Sequence, residues 1–147
     1  MRTSWVYSAH GNNFVKSIHR LLKERDELGV VADQIGSPTW ANSLARVIWK
    51  AAELKDMKGI YHYTDAGVAS WYDFALAIQE EAFAIGLLKK DVLITPIKTE
   101  DYPTPAKRPP YSVLDCSSTW QELNIIPSHW RKSLRNMLDE IRVGKNA

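Results

Sequence analysis

Cys116 is the single cysteine in 147 residues. No intrachain disulfide can staple the fold, and a reducing compartment is expected. Long apolar runs are also missing. No stretch approaches the ~20 residues needed to cross a bilayer, and no signal-peptide core stands at the N-terminus. The expectation is a soluble, cytoplasmic domain with no membrane partner. Neither sign of charge dominates. Nineteen Lys and Arg against seventeen Asp and Glu give a net charge of +2, which excludes a nucleic-acid-coating protein. His10, His19, His62 and His129 form no pair at metal-ligand spacing, and Cys116 has no Cys or His near it in sequence, so no metal site is expected. No Gly-x-Ser-x-Gly elbow is present. The glycines, at 11, 29, 36, 59, 67, 86 and 144, are too scattered for a phosphate-cradling loop. No tyrosine is followed four places later by a lysine.

What is present is globular. Apolar residues make up 45% and charged residues 24%, in the proportions of one ordinary folded domain. Six tryptophans and six tyrosines supply core and some surface for stacking on a ligand. Residues 3–7 are β-prone and read as a strand. Phe14, Val15, Ile18, Leu21 and Leu22 recur at helical spacing over a helix running to near residue 26, with Asn12 or Asn13 as cap. Residues 28–32 read as a strand, and 33–39 as a loop because Gly36 and Pro38 interrupt both periods. Leu44, Val47, Ile48, Ala51 and Leu54 mark a second helix begun just after Thr39. Residues 59–64 read as a strand. Ser70 with Asp73 resembles a capping box opening a third helix, with Gly86 at its end. A strand over 92–97 follows. Four prolines within 101–110 forbid a helix or central strand there. Residues 111–114 read as a short strand, Ser118 with Gln121 as a capping box before a short helix, and Trp130 to Ile141 as a terminal amphipathic helix. Alternating strands and helices make the class α/β.

Five segments occur in a particular order: RTSWVYS at 2–8, GNNFVK at 11–16, DQIGSPT at 33–39, GIYHYTDAGVASWYDFA at 59–75 and YPTPAKRPPYSVLD at 102–115. Together they resemble the C-terminal half of the dTDP-4-dehydrorhamnose reductase family, a group of extended short-chain dehydrogenase/reductases. The resemblance covers residues 2 to about 142. It implies the C-terminal portion of a Rossmann-like fold, mainly the substrate-binding lobe with residual sheet strands. It also implies an RmlD-like substrate-binding domain over 1–147 that lacks the dinucleotide-binding half. The family reaction is the NADPH-dependent reduction of dTDP-4-dehydro-6-deoxy-L-mannose to dTDP-L-rhamnose, for polysaccharide biosynthesis. Its glycine-rich loop and its catalytic Tyr and Lys lie in the half not matched here. The resemblance therefore implies no catalytic residue in this chain, and NADPH as a family cofactor not bound by this chain alone. Two other readings stay open: a non-catalytic, reductase-like regulatory or partner-binding module, and the product of a decayed gene.

By the same resemblance, Trp5 lies at the sugar-binding edge, where a flat indole suits the apolar face of a deoxy sugar or a base. Thr3 and Ser4 back the nicotinamide, a cofactor role that needs the other half. Gly36 permits close backbone approach. Thr39 serves either the ligand or the cap of the next helix. Asn42 offers an amide to a sugar hydroxyl or phosphate oxygen. Arg108, beside Lys107 and flanked by prolines, is placed to fork onto a diphosphate; the plainer alternative is a surface arginine. Ser112 and Asp115 read equally as ties from that loop to the core. The implied partners are a dTDP-sugar, and either a separate N-terminal half or a second copy joined through the exposed first strand.

Overall fold

A computed structural model of the chain describes residues 1–106 and 108–144. The order is β1 (Val6–Tyr7), α1 (Phe14–Glu24), β2 (Glu27–Val31), β3 (Ile35–Gly36), β4 (Thr39–Trp40), α2 (Ala41–Ala52), β5 (Ala69–Ser70), α3 (Trp71–Ala84), β6 (Leu93–Ile97), α4 (Ser117–Glu122) and α5 (Trp130–Gly144). The strands form three two-stranded pairs. β1 runs parallel to β4, β2 runs parallel to β6, and β3 runs antiparallel to β5. The expected α/β class holds, with both longer strands in parallel register.

α3 is the central element. Phe74, Ala75, Ala77, Ile78, Gln79, Glu81 and Ala82 are all buried, more than one stripe of the helix, so α3 is enclosed on several sides. α1 and α5 flank it, and the β2–β6 pair packs against it. Leu22, Ile78, Leu134, Met137 and Leu138 are fully buried there, each contributing about 1.5–3 kcal/mol of transfer free energy. Gln79 reaches out of α3 to fix β6. Its Oε1 accepts from the Val92 N–H at 3.1 Å and its Nε2 donates to the Val92 carbonyl at 3.1 Å. A smaller cluster of Val47, Tyr63 and Leu123 joins α2 to α4.

Local signals built the helix ends as expected at three places. Asn13 caps α1 by accepting from the Lys16 N–H. Ser70 and Asp73 form the reciprocal capping box of α3. Gly86, with φ +75°, closes α3 by donating its N–H to the Phe83 carbonyl while the Leu87 N–H reaches Ala82, the two bonds of a Schellman motif.

Four expectations are corrected. The strand over 3–7 shrinks to Val6–Tyr7, because Trp5 turns left-handed at φ +49° and ends the extended run. Residues 59–64 form no strand; only His62 bridges, to Arg2. Residues 111–114 likewise contribute a single bridge, Tyr111 to Ile35. Ser118 does not cap α4. The helix starts at Ser117, after Cys116, and Asp115 Oδ1 accepts from the Ser117 N–H at 2.9 Å.

Glu81 is the buried charge that ties α3 to α5. Arg131 and Arg135 donate to its carboxylate at 2.9 and 2.7 Å, and Arg131 also pairs with Glu80. The hydrogen bond from Arg135, then that from Arg131, outweighs desolvation and holds the Glu81 carboxyl below its ordinary range. A lowered folded-state value contributes stability above the unfolded carboxylate range and loses it as pH falls through the lowered value. Glu81→Gln is expected to cost about 1.5–3 kcal/mol at neutral pH, the range for a hydrogen bond to a charged group. The cost should shrink toward acid pH. Urea unfolding of both proteins across a pH series measures this, and a pH-independent difference would contradict it.

Candidate functional site

The segment 33–36 gathers the site. β3 pairs with β5 through Ile35↔Ser70 and Gly36↔Ala69. On its other side the Ile35 N–H donates to the Pro110 carbonyl at 2.8 Å, and the Ser112 N–H donates to the Ile35 carbonyl at 2.8 Å. Three distant stretches thus meet at one short strand: the first residues of α3, the end of the proline-rich loop, and the segment around Trp5.

The meeting point encloses a cleft of about 200 Å³ lined by Ser4, Trp5, Gln34, Trp71, Arg108, Pro109 and Ser112. Trp5 and Trp71 stack with ring centroids 3.5 Å apart and planes within 4°. Phe14 leans on Trp71 at 4.5 Å. Gly36 lies so close beneath Trp5 that a Cβ there would fall inside the van der Waals radii of Trp5 Cε2 and Nε1. Close approach, and not a positive φ, is what demands glycine at this position.

Polar groups ring the aromatic wall. The Ser4 hydroxyl is buried without a hydrogen-bond partner among the described residues. Arg108 is exposed on the loop and makes no hydrogen bond or ion pair among the described residues; Lys107 beside it lies outside them. Gln34 is buried, its Oε1 accepting from Trp71 Nε1 at 3.1 Å and its Nε2 donating to Thr99 Oγ1 at 3.0 Å. Thr99 in turn donates its hydroxyl to Asp33 Oδ1 at 2.7 Å. That hydroxyl, followed by the Thr99 N–H, holds the Asp33 carboxyl below the usual carboxylate range.

The candidate residues therefore separate. Trp5, Ser4 and Arg108 line one cleft, with Gly36 directly behind Trp5. Thr39 is fully buried. Its N–H donates to the Trp5 carbonyl at 3.1 Å and its hydroxyl to the Ser37 carbonyl at 3.3 Å, so its side chain offers no surface to a ligand. Nor does Thr39 cap α2: Trp40 holds that position. The Trp40 N–H donates to Asp65 Oδ2 at 3.0 Å. Thr3 and Asn42 are exposed and stand outside the cleft lining. Ser112 joins the lining while tying the loop to Ile35.

Trp71 is the cleft residue that the sequence reading passes over, as it does Asp65 at the start of α2; Gln34 stands in the 33–39 segment that carries the resemblance. Trp71 follows the Ser70 cap directly, outside the helix face that begins at Phe74. That position was the available signal. Asp65 had none. It lies fully buried, taking the Tyr63 hydroxyl at 3.1 Å and the Trp40 N–H, and burial pushes its carboxyl upward against the pull of these bonds.

Gly36→Ala is expected to displace Trp5 from its stack and to cost about 1–3 kcal/mol, as overpacking does. Denaturant unfolding with tryptophan fluorescence checks both effects. An unchanged midpoint with parent-like fluorescence would refute the packing argument.

Comparison with known proteins follows the same outline. Residues 1–143 match the family model described as the RmlD substrate binding domain. The chain is 49% identical over 142 residues to a dTDP-4-dehydrorhamnose reductase of Aggregatibacter actinomycetemcomitans, covering 93% of this chain and 48% of that protein. It superposes on the crystal structure of a dTDP-4-dehydrorhamnose reductase from Clostridium acetobutylicum with a TM-score of 0.85 and 43% identity, covering 96% of this chain and 48% of the other. A Bacillus anthracis dTDP-4-dehydrorhamnose reductase solved in complex with NADP gives a TM-score of 0.82 at 38% identity, covering 95% and 46%. The chain spans about half the length of the relatives it matches. No helix among the described residues is long and apolar enough to cross a membrane.

Proposed function

This chain belongs to the RmlD substrate binding domain family, and from that premise we propose that it is the sugar-nucleotide-binding part of a dTDP-4-dehydrorhamnose reductase. The observation that carries the reading is the convergence in one cleft of an aromatic wall with a guanidinium and a hydroxyl that have no partner among the described residues. A dTDP-sugar presents matching groups: a diphosphate for Arg108, hydroxyls for Ser4, and apolar ring surface for the rim of the stacked Trp5–Trp71 pair. The ligand chemistry of the family supplies the rest of the reading, reduction of a 4-keto sugar by hydride from NADPH.

The cleft, at about 200 Å³, is smaller than the ~300–1,000 Å³ of a typical small-molecule site. It holds one ring, with the diphosphate lying along the Arg108 loop outside it. Weak binding follows, because an open site neither excludes water nor orders the ligand in advance. Hydride transfer also requires a positioned proton donor, and this sequence contains no Tyr-x-x-x-Lys pair and no clustered glycines. Thr3 and Ser4 serve a nicotinamide only where such groups are supplied by other polypeptide.

The chain is therefore expected to prefer dTDP or dTDP-rhamnose over NADPH in calorimetry, and not to oxidise NADPH with a nucleotide sugar. Arg108→Ala should cost roughly 1.5–3 kcal/mol of dTDP binding, and Arg108→Lys should recover part of it. Equal affinity for dTDP and NADPH would defeat the assignment, and a parent-like Arg108→Ala would remove Arg108 from the site.

A specific observation favours partner binding as a second property. Val6 in β1, Ile48 and Trp49 on α2, and Ile60 beside the Arg2 bridge are 44%, 47%, 75% and 65% exposed. Large exposed apolar side chains on neighbouring elements mark association surfaces, and β1 is hydrogen-bonded to β4 alone among the strands. Light scattering at high concentration is expected to give a mass above 16.7 kDa. A monodisperse monomer that binds no hydrophobic dye would overturn this.

A further inference from the structure

The Trp5–Trp71 pair has an unusual geometry. Its ring centroids are only 3.5 Å apart with planes 4° from parallel, so the two indoles lie nearly eclipsed. Aromatic rings left to themselves slide to an offset or turn edge-on, with centroids about 4.5–7 Å apart, because their quadrupoles repel face to face. An eclipsed pair must be held from outside. On the Trp5 side the hold is the left-handed backbone at φ +49° together with the Thr39 N–H on the Trp5 carbonyl. On the Trp71 side it is the hydrogen bond from Nε1 to Gln34 Oε1.

Gln34 does a second thing with the other end of the same carboxamide. Its Nε2 holds Thr99 Oγ1 at 3.0 Å, and Asp33 takes both the hydroxyl and the N–H of Thr99. Thr99 opens the loop that ends on Ile35 through Pro110 and Ser112. Arg108 sits near the far end of that loop. One buried side chain thus connects the aromatic wall of the cleft to the base of the loop that brings its cation.

We propose that Gln34 is a positioning residue of this cleft. Through Trp71 it fixes the plane of Trp5, and through Thr99 it fixes the loop that presents Arg108. The inference rests on the reading of the cleft as a sugar-nucleotide site. A ligand needs the aromatic rim and the guanidinium in fixed relation to each other, and the Asp33–Thr99–Gln34–Trp71 run supplies that relation.

The test uses the full chain and a signature that a merely structural residue would not move. Two stacked indoles produce an exciton couplet in circular dichroism, identified as the signal lost in Trp71→Phe. Gln34→Leu is expected to lose most of this couplet while keeping the helical signal and a cooperative melt. It should also weaken dTDP binding roughly tenfold, as for a lost hydrogen bond of this kind. Thr99→Val should shrink the effect of Arg108→Ala on dTDP affinity, since coupled positions are non-additive, and Thr99→Ser should restore it. A Gln34→Leu protein with the parent couplet overturns the proposal, as does one that loses the couplet but binds dTDP like the parent. If Gln34→Leu fails to fold, Thr99→Val decides: additivity with Arg108→Ala refutes the link. If the parent binds no dTDP, the site reading fails separately, and the ligand-free couplet still settles whether Gln34 holds the indoles.

Discussion

Four consecutive residues, 33–36, impose the geometry on which the cleft depends. Their backbone pairs with β5 on one side and with the end of the proline-rich loop on the other. Their side chains take Thr99 and Trp71, and the bare Cα of Gly36 admits the Trp5 ring. Each attachment is worth about a kilocalorie per mole. Jointly they are hard to lose, because breaking one leaves the others in register. A side chain larger than hydrogen at Gly36, or an apolar one at Gln34, would strike several attachments at once.

Behind that segment, the fold is stabilised from the helices outward. Strands of two residues, as in β1, β3, β4 and β5, cannot persist by their own hydrogen bonds. α3 gives them a surface to lie on. Its enclosed helix carries small residues at Ala75, Ala77 and Ala82, which lets α1, α5 and the β2–β6 pair approach closely. Buried polar groups then settle direction. Gln79 aligns β6, Glu81 takes two arginines of α5, and Asp65 holds the start of α2. Each is satisfied by hydrogen bonds, as burial requires.

Features whose partners lie within a few residues were legible in the sequence. Asn13, the Ser70–Asp73 pair and Gly86 marked helix ends because caps bond to neighbours three or four places along. The α/β class and the family were legible from the order of segments. What could not be read depended on distant groups. Nothing local marks Trp5 as left-handed; the turned backbone sends its carbonyl to the N–H of Thr39, 34 residues on. Residues 59–64 have the composition of a strand but find a partner only at Arg2. Thr39 looks like a cap, yet the helix begins one residue later than a Thr39 cap requires, and the Thr39 hydroxyl turns to the Ser37 carbonyl. Trp5 and Arg108 were singled out separately, and only the folded chain shows them lining one cleft.

The loop between Thr99 and Ser112 is fastened at both ends to the same short segment and is exposed along the described stretch between. Closing such a loop costs little more as it grows, about 0.6 kcal/mol for each doubling of its length. Its two anchors take the whole mechanical load, so its interior is released from the demands of the core. An insertion there would change what the cleft presents to a ligand without disturbing the packing around α3.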